Sequence, residues 1–207
     1  MDRGCNGASS SDDWCELTRR QITVLTYFKH LLGQNMDSEY AKAEEFWPTA
    51  KIAEVADGHP GYEVRHKGET MVFSAVQLIA MYFTKLKEVT EKWTQCKVAD
   101  AVIGVPAYFS DVHRLAVLYA AKIAGISVLR LMNEHTAMAD ACGICWSNDF
   151  AAEKPGTVAI CGMGLSFLLV FIVPFVKGRL TVIAERPDKA GARDMDECLM
   201  REFVAQF

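Results

Sequence analysis

Four short stretches of this 207-residue chain bring chemically capable residues close together. Cys142-Gly143-Ile144-Cys145 has the spacing of a redox pair or half a zinc site. A redox pair needs its first thiol at a helix N-terminus, where the dipole lowers the thiol pKa; this pair falls at the end of a predicted helix. Zinc needs a second ligand pair, and none of the five histidines (His30, His59, His66, His113, His135) provides one at a suitable spacing. Asp111-Val112-His113-Arg114 opens another predicted helix, with Asp111 placed to complement its dipole. Glu134 follows Asn133 at a third helix start. Asp111 and Glu134 could serve as acid and base only in an apolar setting that raises a pKa, and the plainer reading of both is a capped surface turn. Gly162-Met163-Gly164 joins two apolar runs but lacks the third glycine of a dinucleotide fingerprint. There is no G-x-S-x-G elbow, H-E-x-x-H or G-x-x-x-x-G-K-[ST] loop.

Bulk composition narrows the partners. A net charge of -4, with no basic run, gives no general attraction to nucleic acid or anionic lipid, so neither nucleic acid nor membrane is expected as a partner. With 51% apolar residues the chain can build a sizeable core. Seven irregularly spaced cysteines suggest reduced thiols in an intracellular compartment. Met1 to Asp13 has no apolar core for a signal peptide, and residues 1–17 read as a polar, poorly packed start.

The elements that must position these groups follow from periodicity. Leu17 to Leu32 carries Ile22, Leu25, Phe28, Leu31 and Leu32 at helical spacing and stops at Gly33. Lys51 to Val55, Tyr62 to His66 and Glu69 to Ser74 predict a small antiparallel meander. Ser74 opens a long amphipathic helix to about Trp93, with Val76, Ile79, Met81, Tyr82, Phe83 and Leu86 expected on its apolar face. Strand and helix then alternate: Ala99 to Val105, Asp111 to Ala124, Ser127 to Met132, and Glu134 to Cys145 capped by Asn133. After a polar linker, Ser147 to Gly156, the strands Thr157 to Cys161, Ser166 to Phe175 and Arg179 to Glu185 lead to a closing helix, Asp194 to Phe207.

Thr157 to Val176 contains no charge over twenty residues and is long enough to span a bilayer as a helix. Gly162, Gly164 and Pro174 interrupt it, and Val, Ile and Phe dominate its second half, as in buried strands.

The run Val98 to Ile144 resembles the nucleotide-binding domain of the seventy-kilodalton heat-shock chaperones, a branch of the actin-like ATPases. The resemblance rests on Val105-Pro106-Ala107-Tyr108-Phe109, Asp111 with Arg114, Ile123-Ala124-Gly125 and Leu129 to Ala139, which match V-P-A-Y-F, D-x-x-R, I-A-G and L-R-L-x-N-E-x-T-A-x-A. Phe28 to Gly33 looks like the family's K-R-L-I-G helix, and Lys67-Gly68-Glu69-Thr70 with Phe73-Ser74 its G-E-x-x-x-F-S/T-P-E entry to the long helix. The likeness covers roughly Thr18 to Phe207. Met163 to Ser166 and Ala190 to Asp196 are closer to the hundred-ten-kilodalton relatives, which act as nucleotide-exchange partners and holdases.

The resemblance implies an α/β chain with the actin-like (ribonuclease H-like) fold: most of lobe I over 18–156 and the start of lobe II over 157–207. It implies ATP or ADP with Mg²⁺ as cofactor, unfolded polypeptides and other chaperones as partners, and a cytoplasmic place. Carried over by position, Lys29 and Glu134 take the catalytic roles, the lysine toward the γ-phosphate and attacking water and the carboxylate toward Mg²⁺-bound water. Gly164, Leu165, Ser166, Gly191 and Ala192 fall at the nucleotide, and Pro106 with Arg114 at the interlobe relay. Phosphoryl transfer depends on such positioned cations and a placed water.

Departures from the pattern predict weakened chemistry. Nothing in Met1 to Arg19 resembles the first phosphate loop, G-I-D-L-G-T-T-x-S. At the second, D-L-G-G-G-T-F-D, Gly162 takes the acidic position, Leu165-Ser166-Phe167 replace Gly-Gly-Thr, and Leu169 replaces the last Asp. Ala192 replaces the second glycine of a later pair. These changes remove carboxylates that hold Mg²⁺-bound water and put bulk where backbone amides should approach phosphate, so impaired hydrolysis is expected.

Overall fold

The clearest expectation, an antiparallel meander leading into a capped helix, is met in the computed structural model, with one strand exact and the other elements shifted by one or two residues at their ends. The structure describes residues 28–38, 41–42, 50–55, 57–66, 69–145, 156–176 and 179–206. Strand β1 (Ile52–Glu54) pairs antiparallel with β2 (Pro60–His66), which pairs antiparallel with β3 (Glu69–Ser74). Ser74 ends β3 and caps helix α1 (Ala75–Thr94): its hydroxyl accepts from Gln77 N–H, and the Gln77 side chain accepts from Ser74 N–H, a reciprocal capping box. Gln95 ends α1 in the left-handed region at φ 56°.

The chain divides into two compact units, Met1–Val98 with Leu115–Ile126, and Ala99–Arg114 with Ser127–Phe207. In the first, Tyr62, Leu31 and Leu32 are among the most completely buried side chains. Two expectations change there. The predicted helix from Leu17 lies outside the described residues as far as Tyr27, and Phe28–Leu31 is a single 3-10 turn. On α1, Ala75, Leu78, Ile79 and Ala80 are buried, whereas Met81, Tyr82 and Leu86, expected inward, are exposed. Of the six residues expected on the apolar face only Ile79 is buried, Val76 and Phe83 are half-buried, and burial is confined to the N-terminal half of the helix.

The second unit begins with β4 (Asp100–Val105), which pairs parallel with β5 (Ser127–Asn133); between them in sequence runs the crossover helix α2 (Asp111–Ile123), of which only the first turn, to Arg114, belongs to this unit. Helix α3 (Glu134–Cys145) follows β5 directly. Strands β6 (Gly156–Met163) and β7 (Leu168–Val176) form an antiparallel hairpin from Gly156↔Phe175 to Met163↔Leu168. The uncharged segment is therefore two strands, and no helix among the described residues is long and apolar enough to cross a membrane. On the other side of β7 lie β8 (Arg179–Leu180) and β9 (Ala184–Asp188), and α4 (Ala192–Gln206) closes the described chain. Pro174 sits in this central strand without breaking it. Strand β9 pairs only as far as Ile172 and β8 starts at Phe175, so the missing proline N–H falls in the gap between them.

The core of this unit is Ala139, Phe171, Val173 and Phe175, with Met138, Cys142, Val158, Ile160, Leu169 and Val182 packed against it. Cys142, from the C-x-x-C pair, thus packs against the core near the end of α3. Cys96, Cys142, Cys161 and Cys198 are free thiols. The polar linker before Gly156 lies outside the described residues.

Candidate functional site

Two strand ends of the second unit hold most of the residues singled out by sequence. After β4 the chain turns through Pro106, Ala107 and Tyr108, with Pro106 buried and its carbonyl accepting from Phe109 N–H at 3.2 Å. Arg114, in the first turns of α2, reaches back: Nε donates to the Phe109 carbonyl at 3.1 Å and Nη2 to Asn133 Oδ1 at 2.7 Å. Pro106 and Arg114 therefore belong to one bracket tying the end of β4, the start of α2 and the end of β5. Asn133, expected as the cap of α3, spends its side-chain oxygen on this bracket. The Ser110 hydroxyl lies 2.6 Å from His113 Nδ1, and the Phe109 ring stacks on the His113 ring at 5.0 Å. Burial pushes the His113 pKa below the ordinary histidine value.

Glu134 is the first residue of α3, half-buried, where its charge complements the helix dipole. Its neighbour His135 is buried against Phe171, and His135 Nδ1 lies 2.8 Å from Glu185 Oε2, at ion-pair distance without hydrogen-bond alignment. Lys29 is exposed in the 3-10 turn of the first unit, and Glu134 belongs to the second.

The β6–β7 turn holds the other group. Gly164 N–H donates to the Phe167 carbonyl at 2.8 Å, closing the turn on itself. The carbonyls of Gly164 and Leu165 accept from Ala192 N–H at 3.0 Å and Arg193 N–H at 2.9 Å, the leading amides of α4. Gly191 N–H donates to Asp194 Oδ2 at 2.6 Å. The turn and the helix start lie so close that a Cβ on Gly191 would overlap the Leu165 carbonyl. The structure thus brings Gly164, Leu165, Ser166, Gly191 and Ala192 together. The Ser166 hydroxyl is sealed from solvent with no hydrogen-bond partner. The Phe167 ring stacks on Tyr108, centroids 4.1 Å apart and planes 20° from parallel.

These surroundings do not fit a magnesium nucleotide. A Cβ on Gly162 would meet the methyl end of Met138, and Leu169 packs into the Phe171 core, so both positions face apolar groups and offer no acidic partner to metal-bound water. Among the described residues no group of three or more His, Cys, Asp or Glu could hold a metal ion. Sequence reasoning missed Tyr108, Asp194 and Met138. Tyr108 stood inside a matched motif and Asp194 at a helix start, whereas nothing in the sequence marked Met138.

Comparison with known proteins agrees with this architecture. The family model described as Hsp70 protein matches residues 16–207. The 97 kDa heat shock protein of Mesocentrotus franciscanus is 36% identical over 187 residues, covering 89% of this chain and 21% of its own length. Heat shock 70 kDa protein 4L of Homo sapiens is 37% identical over 183 residues, covering 87% of this chain and 22% of its own. Heat shock 70 kDa protein 14 of Arabidopsis thaliana is 36% identical over 185 residues, at 88% and 22%. The chain spans about a fifth of the length of these relatives. A family match over nearly the whole chain, with relatives of the larger hundred-ten-kilodalton kind, gives the α/β order its origin: the chain belongs to the Hsp70 protein family, with the actin-like ATPase fold.

Proposed function

We propose that this chain is a chaperone module of the heat-shock seventy or hundred-ten-kilodalton type that assists folding or nucleotide exchange through protein partners and does not turn over ATP at the family's rate. The observation carrying this reading is the apolar setting of Gly162 and Leu169, against Met138 and the Phe171 core, where the family pattern has carboxylates. Without them, water bound to a metal has no acidic partner at these positions, and the barrier to phosphoryl transfer rises. In this reading Lys29 and Glu134 are residual catalytic positions, Pro106 and Arg114 form the relay bracket, and 18–156 and 157–207 are parts of lobes I and II. Its partners are unfolded polypeptides and other chaperones in the cytoplasm. The test is phosphate release from Mg-ATP by the purified chain beside suppression of client aggregation. Suppression without release is expected, and release at the rate of an intact family ATPase would sink the proposal.

A second reading, a non-catalytic interaction module, is favoured by α4. None of its residues is buried, and Met195, Leu199 and Phe203, spaced by four, lie more than half exposed on one face. Co-purification of a full-length chaperone with the chain, lost on Leu199→Asp, would separate the two readings.

A further inference from the structure

We infer that Phe167, stacked on Tyr108, shuts the β6–β7 turn to nucleotide phosphates, so that the turn excludes binding as well as hydrolysis. The inference rests on reading the turn as a former phosphate loop. A phosphate chain is held by backbone N–H groups pointing into a concavity, often reinforced by a helix N-terminus. Four such donors, at the turn and at the helix start, have other partners here. Gly164 N–H serves the Phe167 carbonyl, and Ala192 and Arg193 N–H serve the carbonyls of Gly164 and Leu165. Gly191 N–H serves the Asp194 carboxylate, which places negative charge where an anion would otherwise be favoured.

The aromatic pair holds this arrangement from the other side. Tyr108 comes from the segment after β4 and Phe167 from the turn after β6, and their rings lie face to face at 4.1 Å. A ligand approaching the turn at this side would have to separate them, losing a contact that favours the closed turn by roughly two- to tenfold in population. The orphaned Ser166 hydroxyl is the mark of closure: it is a polar group of the turn sealed from solvent and from any partner.

The experiment uses the full chain with ADP and Mg²⁺ as probe, followed by calorimetry and by thermal unfolding. The unaltered chain should give no binding heat and no change in Tm at about 5 mM ADP. Phe167→Ser, which removes the ring, and Tyr108→Ala, which removes its partner, should each admit ADP and raise Tm by roughly 2–5 °C at that concentration. Phe167→Tyr keeps the stack and should behave like the unaltered chain. Binding by the unaltered chain overturns the inference, and so does a failure of both opened variants to gain binding. If Phe167→Ser does not fold, Tyr108→Ala and the unaltered chain still decide. Phosphate release bears only on the hydrolysis proposal: binding without release overturns the closed turn and leaves that proposal standing.

Discussion

The junction after β4 and the turn after β6 both meet the start of a helix, yet they hold together by different means. At the first, an arginine fork joins a backbone carbonyl and an asparagine side chain, and the residues match the family pattern one for one. At the second, backbone meets backbone, an aromatic pair lies over the turn, and Gly162 and Leu169 face apolar groups. The junction's polar residues bond to the protein itself, so they are needed with or without ligand. Gly162 and Leu169 of the turn meet apolar groups instead, so packing alone sets what these positions hold.

This contrast can be tested from its strongest point downward. Phe171 is fully buried between the hairpin and α3, so Phe171→Ala should cost about 3–5 kcal/mol in urea unfolding. A loss below about 1 kcal/mol would mean that the apolar core does not hold the hairpin. Arg114→Ala should cost about 1.5–3 kcal/mol, because two acceptors lose a charged donor; Arg114→Lys, without the fork, should recover only part. Full recovery by lysine would reduce the bracket to a simple charge. Gly191→Ala should cost about 1–3 kcal/mol, since the new methyl must push the Leu165 carbonyl away.

Two smaller effects sharpen the comparison. Burial lowers the folded-state pKa of His113, so the unfolded chain binds the proton more readily. Its contribution to stability is present above the unfolded value and is lost as pH falls from about 6.5 toward the folded value. His113→Gln should flatten that part of a stability-against-pH curve. Ser166→Ala removes an unpartnered buried hydroxyl and should be neutral or slightly stabilising in thermal unfolding. A clear loss would show that the hydroxyl has a partner after all.

Much of the frame was legible because it is local. Alternation gave the meander, Ser74 gave the start of α1, and the strand and helix order gave the β4–α2–β5 crossover. The exposed half of α1 was not legible, since periodicity says which face is apolar and not how far the supporting sheet reaches. At the turn, the motif register exposed the substitutions at Gly162, Leu165, Phe167 and Leu169. The ring stack with Tyr108, the pairing of α4 amides with turn carbonyls and the approach of Met138 to Gly162 join residues distant in sequence, and only packing reveals them.

The β4–β5 pair also has an expected consequence in concentrated solution. Parallel strands are usually flanked and covered on both faces, but among the described residues this sheet has two strands only, and Val102 and Leu129 are more than half exposed. Edges that no further strand among the described residues pairs, beside exposed aliphatic side chains, form a template for pairing with another chain. Yield on refolding should therefore fall as protein concentration rises, and a lysine at position 129 should act as a gatekeeper that restores it without altering the melting midpoint.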